Sequence, residues 1–275
     1  MKVLTYDLEI ENHRKNKRLA DPFNPENYIV EAGWSWNGGK CDSIRFEENH
    51  RDSIMDEQFN MLEKGDIICG YNIKFDNLWV WGQQSFQAAL KRGATIYCGQ
   101  YAEYLLGGMV QMAAMNDIAT KYGGGCKLDA VKDMWDEGYL TSQIPADMLH
   151  DYLVGDGKEL VGDVMNTWLI YQGQVYRMLN HFPKEFRTMF KHRMDGLLAT
   201  TEMEYNGMHV DAVRGAELQS EVSDELDVAT VELESFIPEL PDGFTFNWNS
   251  GIHKSCLLFG GVAKYEKWKA HSPLE

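Results

Sequence analysis

The chain has 275 residues, of which 44% are hydrophobic and 25% are charged, and its formal net charge is −16. This apolar content is enough for a packed core, so the composition excludes a wholly disordered chain, and the length corresponds to roughly two domains. The negative charge excludes nucleic-acid binding through bulk electrostatic attraction. A polyanionic partner would require a local basic patch or bound divalent cations.

The sequence also indicates a compartment. No apolar run approaches the length of a membrane span, and the N-terminus lacks the apolar segment of a signal peptide. The five cysteines are odd in number and include no Cys-x-x-Cys motif, a pattern typical of reduced thiols. We therefore expect a cytoplasmic protein that does not associate with membranes.

Strand-like and helix-like patterns alternate over the first part of the chain. Residues 2–10 alternate strictly, with an apolar face and a face that carries Asp7 and Glu9. Short runs between turn residues predict further strands at 28–36, 41–46, 66–71 and 95–98. Amphipathic periodicity predicts helices at 53–63 and 77–92.

The remainder is predicted to be mostly helical from about 101 to 236. A turn is expected at Asn206-Gly207, and the residues after 238 are rich in turns. Strands followed by helices in this order predict an α/β fold, with a mixed sheet flanked by helices and a mostly helical C-terminal piece.

Asp7 and Glu9 form the first candidate site. Side chains two residues apart on a strand point the same way, about 7 Å apart. On a buried strand two such carboxylates resist ionisation unless a cation lies between them. The alternative is an edge strand with a solvated acidic face, and the Asp-x-Glu motif taken alone favours that alternative.

Two further carboxylates stand at the borders of predicted elements. Asp76 closes the sequence Asn72-Ile-Lys-Phe75-Asp, directly after the strand at 66–71, where it could also be a helix N-cap. Asp163 borders the apolar stripe of a helix predicted at 158–179, with Glu159 one turn before it. Each taken alone also suits a solvated or capping position.

Taken together, four carboxylates in a β-β-β-α-β-α order resemble the DEDD superfamily of 3′→5′ exonucleases, whose domain has a ribonuclease H-like fold. Five ordered pieces of the chain extend the resemblance to the proofreading domain of phage family A (DNA polymerase I-like) polymerases and to the polymerase sequence that follows it. These pieces are residues 21–25, 70–76, 163–167, 203–211 and 246–250.

The resemblance implies an exonuclease domain at 1–190 and the beginning of a polymerase-like region at 191–275. We expect the chain to stop shortly after the polymerase-like sequence begins, without the palm aspartates, and so to incorporate no nucleotides. If the protein is phage-encoded, its compartment is the host cytoplasm.

The resemblance also implies a metal site. Asp7, Glu9 and Asp163 would hold the first of two divalent cations, Mg²⁺ or Mn²⁺, and Asp7 would bridge to the second, which Asp76 would reach. The third motif of the family, which residues 163–167 resemble, usually carries a His five residues before its Asp, where this chain has Lys158, or a Tyr four residues before it. The family orients the attacking water with this Tyr. Glu159 occupies that position here.

An alternative third-motif aspartate lies seven residues upstream. Tyr152 precedes Asp156 by four residues, and the stretches 152–156 and 159–163 are near copies. Asp163 is favoured because Val164-Met-Asn-Thr167 follows it within a long apolar stripe. The sequence leaves Asp156 as an alternative metal ligand and Tyr152 as an alternative water-orienting residue.

The implied substrate is a single-stranded 3′ end of DNA or a frayed primer terminus, and the implied partner is a polymerase domain. Leu8, Asn72 and Phe75 are candidate substrate contacts, although Phe75 also suits a core position. The basic run at 13–18 could contact phosphates.

Two alternative functions stay open: a ribonuclease D-like RNA exonuclease, and a nuclease-dead module that binds single strands or primer ends. Stacking platforms are offered by four tryptophans for which a core position is the default: Trp34, Trp36, Trp79 and Trp81.

Overall fold

A computed structural model describes residues 1–12, 20–46, 58–125, 129–186 and 190–264. The strands are β1 (Val3–Ile10), β2 (Ile29–Trp36), β3 (Cys41–Arg45), β4 (Ile67–Gly70) and β5 (Thr95–Cys98). The helices of the first part are α1 (Asn60–Lys64), α2 (Ile73–Val80), α3 (Gln84–Arg92), α4 (Gly99–Leu106), α5 (Met115–Ala119), α6 (Asp129–Glu137) and α7 (Ala146–Val154). The later helices are α8 (Asp163–His181), α9 (Pro183–Glu185), α10 (Lys191–Asn206), α11 (Ala212–Glu234) and α12 (Gly251–Phe259).

The strands form one mixed sheet in the order β3-β2-β1-β4-β5. β1 pairs antiparallel with β2 and parallel with β4, while β5 runs parallel to β4. The central strand is covered on both faces, since Thr5 and Tyr6, which point to opposite sides, are both fully buried. The predicted α/β class with a mixed sheet flanked by helices is confirmed, and the architecture is compatible with a ribonuclease H-like fold.

Two helix predictions need correction. The helix predicted at 77–92 is two helices, α2 and α3, separated by residues 81–83. The turn expected at Asn206-Gly207 is confirmed: α10 ends at Asn206, and Gly207 has a φ of +66°, which favours glycine. Of the helix predicted at 53–63, residues 53–57 lie outside the described residues, and α1 begins at Asn60.

The second correction matters most for the site, because α8 begins at Asp163 and not near residue 158. The preceding residues form a loop in which Gly155 has a φ of +86° and the Asp156 carboxylate accepts the backbone N–H groups of residues 158, 159 and 160. Glu159 therefore does not lie on the helix of Asp163. The helical spacing between them in the sequence is coincidental.

Close packing between two glycines fixes the start of α8. A Cβ added at Gly162, the N-cap residue, would overlap the backbone of Val154 and Gly155 at the end of α7. The end of α7 can therefore lie directly against the residue before Asp163 only because both positions lack side chains.

We expect Gly162→Ala to lower the free energy of unfolding by about 1–3 kcal/mol, because the backbone of residues 154–155 must move. The φ of Gly162 is −74°, which alanine adopts readily, so the clash is the cause of the loss. Gly196→Ala in α10 is the matched control, since an added Cβ there meets nothing within 4 Å. The control should be neutral or stabilising by up to about 1 kcal/mol. Urea denaturation of both variants measures the difference, and equal stabilities would contradict the packing argument.

The chain divides into two compact units, Met1–Gly207 and Met208–Glu275. The expected boundary at residue 190 lies earlier than this division, and α10 belongs to the first unit. In the second unit, the Asp211 side chain caps α11 by accepting the N–H of Arg214, and Ser250 caps α12 by accepting the N–H of His253. In the described part of the chain, no helix has both the length and the apolarity needed to cross a bilayer.

Candidate metal centre

β1 presents Asp7 and Glu9 on one face of the sheet. Glu9 is buried, with 8% of its surface exposed, and Asp7 is half-buried. The residue opposite Asp7 on β2 is Gly33. A Cβ on Gly33 would lie 2.7 Å from Leu153 Cγ, so the missing side chain lets the end of α7 pack beside Asp7. The solvated edge-strand alternative is therefore wrong, because β1 is central and Glu9 is buried.

Asp163 joins these two carboxylates. It is the first residue of α8 and is buried, and ligand atoms of Asp7, Glu9 and Asp163 all lie within 4.8 Å of one another. Asn166 holds this helix start in place: its Oδ1 accepts the N–H of Gly125 at 2.9 Å, and its Nδ2 donates to the carbonyl of Val161 at 3.2 Å. The structure thus brings together three of the four predicted carboxylates as direct neighbours.

Asp76 lies within electrostatic reach of this cluster. It is in the first turn of α2 and is buried. Burial, then the charge of Asp7, raise the pKa of Asp76 well above its usual value, while the backbone N–H of Leu8 lowers it. The Tyr6 hydroxyl donates to Asn77 Oδ1 at 2.8 Å and so ties α2 to β1. Burial raises the pKa of Tyr6 as well, with smaller contributions from Asp76 and Asp7.

The donor set fits a hard divalent cation. Carboxylate oxygens are the ligands that Mg²⁺ and Mn²⁺ prefer, and several carboxylates at one point cannot all ionise without a neutralising charge. One turn after Asp163 on α8, the Thr167 hydroxyl is fully buried and has no hydrogen-bond partner among the described residues. A buried polar atom of this kind suits a site that takes up a hydrated ion. Asp7, Glu9 and Asp163 could hold such an ion directly, with Asp76 beside them.

The raised pKa of Asp76 predicts an unusual effect of Asp76→Asn. A carboxyl group whose folded pKa is raised stabilises the fold at acidic pH, and this contribution is lost as pH rises through the folded pKa. We therefore expect metal-free Asp76→Asn to be more stable than metal-free wild type at pH 7–8, with a smaller difference near pH 4. The thermal unfolding midpoint of each protein in EDTA across this range measures the effect. Asp42→Asn, an exposed carboxylate on β3, is the control, and a stability loss for Asp76→Asn at pH 8 would contradict the argument.

The alternative third-motif residues lie elsewhere. Asp156 is exposed, and its carboxylate is occupied by the loop backbone, whose N–H groups lower its pKa. Glu159 is exposed in the same loop. Tyr152 is buried in α7, edge-on to Trp135 with ring centroids 5.8 Å apart. The geometry favours Asp163 over Asp156 as the third ligand, and the water-orienting role stays a prediction for Glu159 and Tyr152.

The candidate substrate contacts differ in exposure. The Leu8 side chain is in the core at 6% exposure, and its role as a substrate contact stays a prediction. Asn72 is exposed at the residue before α2, and Phe75 is half-buried with its ring 6.3 Å from that of Trp79. The basic run at 13–18 lies outside the described residues. The core positions favoured for the four tryptophans are confirmed, since all pack in or against the main core: Trp34, Trp36, Trp79 and Trp81.

Sequence reasoning missed Gly33 and the structural role of Asn166. Gly33 interrupts a strand pattern, which often marks a close approach of another element. The sequence indicated Asn166 only as part of the third motif. Its structural role could not be predicted, because Gly125 lies far away in the sequence and Val161 lies in an irregular loop.

No protein-family model matches the chain, and no curated protein matches it in sequence. Among solved structures, the chain is similar to the family B DNA polymerase from the hyperthermophilic archaeon Pyrobaculum calidifontis, with a TM-score of 0.43 and 15% identity. The match covers 64% of this chain and 24% of that one, so the chain spans about a quarter of that polymerase. We draw nothing about function from so distant a likeness.

Proposed function

We propose that this protein is a metal-dependent 3′→5′ exonuclease that removes nucleotides from single-stranded DNA ends. We further propose that it is the proofreading part of a family A-like polymerase. The observation that carries the proposal is the convergence of Asp7, Glu9 and Asp163 within 4.8 Å, on β1 and at the first residue of α8. Glu9 and Asp163 are both buried, whereas the carboxylates of a solvated acidic face would be exposed. The burial of residues so far apart in sequence argues that the fold forms a specific site here.

The proposal assigns a separate role to each residue of the candidate site. Asp7, Glu9 and Asp163 hold the divalent cations, Mg²⁺ or Mn²⁺, and Asp76 supplies a further negative charge beside Asp7. When bound, such ions lower the pKa of a coordinated water and offset charge on the phosphate oxygens. Asp76 and Asp163 lie in the first turns of α2 and α8, where the helix N-terminus attracts negative charge. The 3′ polarity and the preference for single strands follow from the family resemblance.

A gel assay tests the proposal directly. DNA labelled at its 5′ end, single-stranded or in a duplex with a frayed 3′ terminus, should give a ladder of products shortened from the 3′ end. The ladder should require Mg²⁺ or Mn²⁺ and disappear with EDTA. A matched RNA strand distinguishes a ribonuclease D-like enzyme, which would degrade RNA alone. Binding without cleavage under either metal would overturn the nuclease assignment in favour of a binding module.

A further inference from the structure

A second row of charged side chains crosses the sheet on the face that carries the candidate metal ligands. Glu9 on β1 lies directly opposite Glu31 on β2, and Glu31 lies directly opposite Arg45 on β3. Directly opposed residues share a face, with Cβ atoms about 4.5–5.5 Å apart. Glu31 is 2% exposed, so a further acidic side chain is buried opposite Glu9.

Among the described residues, the Glu31 carboxylate contacts side chains of β3 and α7. Arg45 Nη1 is 3.7 Å from Glu31 Oε2, and the Ser43 hydroxyl donates to Oε1 at 2.8 Å. His150 of α7 places Nδ1 3.4 Å from Oε1. Like charges on opposed strand positions repel, so these contacts explain how Glu31 can be buried next to Glu9.

Arg45 is itself held firmly. Its Nη2 donates to the carbonyl of Ser142 at 3.0 Å and to that of Ile144 at 3.3 Å. The guanidinium is therefore fixed beside Glu31 by the turn that precedes α7. The fold therefore fixes the position of this positive charge relative to the neighbouring cation site.

We infer that Glu31 and Arg45 are positioning residues that set the cation affinity of the Asp7–Glu9–Asp163 cluster. Glu31 adds negative potential beside Glu9. Arg45, whose Nη1 is 3.7 Å from Glu31 Oε2, offsets part of that potential. The inference rests on the cation site of the proposed function, and it does not depend on nuclease activity.

The two charges should act with opposite signs. Glu31→Gln leaves the positive charge of Arg45 without its partner next to the cluster, which weakens cation binding. Arg45→Gln leaves the negative charge of Glu31 uncompensated, which strengthens it. A purely structural role would weaken binding in both variants, since both would loosen the same contacts.

The test is a titration of the full chain with Mn²⁺, in which the electron paramagnetic resonance signal of free aqueous Mn²⁺ gives the dissociation constant without any turnover. We expect Glu31→Gln to raise the constant roughly fivefold to tenfold and Arg45→Gln to lower it severalfold. Arg45→Lys keeps the positive charge but not all of the guanidinium contacts, so its constant should lie closer to that of wild type than the constant of Arg45→Gln does. Arg92→Gln is the matched control, because Arg92 pairs with Asp66 at 3.1 Å at the opposite end of the parallel strands and should leave Mn²⁺ binding unchanged.

The outcomes separate the two proposals. If wild type binds no Mn²⁺, both the cation site and this inference are overturned. If wild type binds Mn²⁺ but the two glutamine variants shift the constant in the same direction, or leave it unchanged, only the inference on Glu31 and Arg45 fails. Thermal unfolding of each metal-free variant checks that it is folded, and Glu31→Gln preserves an acceptor for the Ser43 hydroxyl.

Discussion

Replacing Asp7 with asparagine should lower metal-dependent cleavage of single-stranded DNA by about a thousandfold or more. Asp7 is the one carboxylate that both belongs to the group within 4.8 Å and raises the pKa of Asp76 by its charge. Its removal therefore weakens every proposed cation position together. Asparagine keeps the shape of the side chain, and Asp7 is half-buried beside Gly33, so the fold should survive.

The measurement is the rate of 3′ shortening of a 5′-labelled strand at saturating Mn²⁺. Asp42→Asn, which removes an exposed carboxylate from β3, should cleave at the wild-type rate and controls for a general loss of negative charge. Circular dichroism and the thermal midpoint in EDTA establish that Asp7→Asn is folded. Retention of more than about a tenth of the wild-type rate would show that the chemistry does not use this cluster.

The sheet could be predicted from the sequence because its signals are local. The alternation from Val3 to Ile10 and the short run Thr95–Cys98 fix strand character over a few residues, and the structure has both strands. The start of α8 could not be predicted in this way. The helical spacing continues backward through residues 158–162, where the contact of Gly162 with the end of α7 and the hydrogen bonds of the Asp156 carboxylate to the loop replace the helix.

The candidate site likewise has residues that the sequence indicates locally and residues whose contacts depend on tertiary packing. Asp7, Glu9, Asp76 and Asp163 could be selected from the sequence because their order along the predicted strands and helices resembles a known set of motifs, although each motif taken alone is common. Their neighbours are set by tertiary packing. Arg45 meets Glu31 only through the strand register, and its anchor on Ser142 lies almost a hundred residues along the chain, so no sequence spacing predicts either contact.

Asp163→Asn and Asp156→Asn should have very different effects, although their sequence surroundings are near copies. Asp163 is buried among the carboxylates, so Asp163→Asn should cost about a thousandfold in cleavage rate and weaken Mn²⁺ binding. Asp156 is exposed and accepts backbone N–H groups of its own loop, and an asparagine carbonyl can still accept them. Asp156→Asn should therefore lose no more than a few-fold.

The measurement is the cleavage rate together with the Mn²⁺ affinity of Asp163→Asn and of Asp156→Asn. A loss in both for Asp163→Asn alone assigns the third ligand to the first residue of α8. A loss in both for Asp156→Asn alone would mean that the loop rearranges when a cation binds and brings Asp156 to the cluster. That rearrangement must break the three N–H contacts of the Asp156 carboxylate and separate Gly155 from Gly162, whose close packing leaves no room for a side chain. The cost of both steps is why we expect Asp163 to be the ligand.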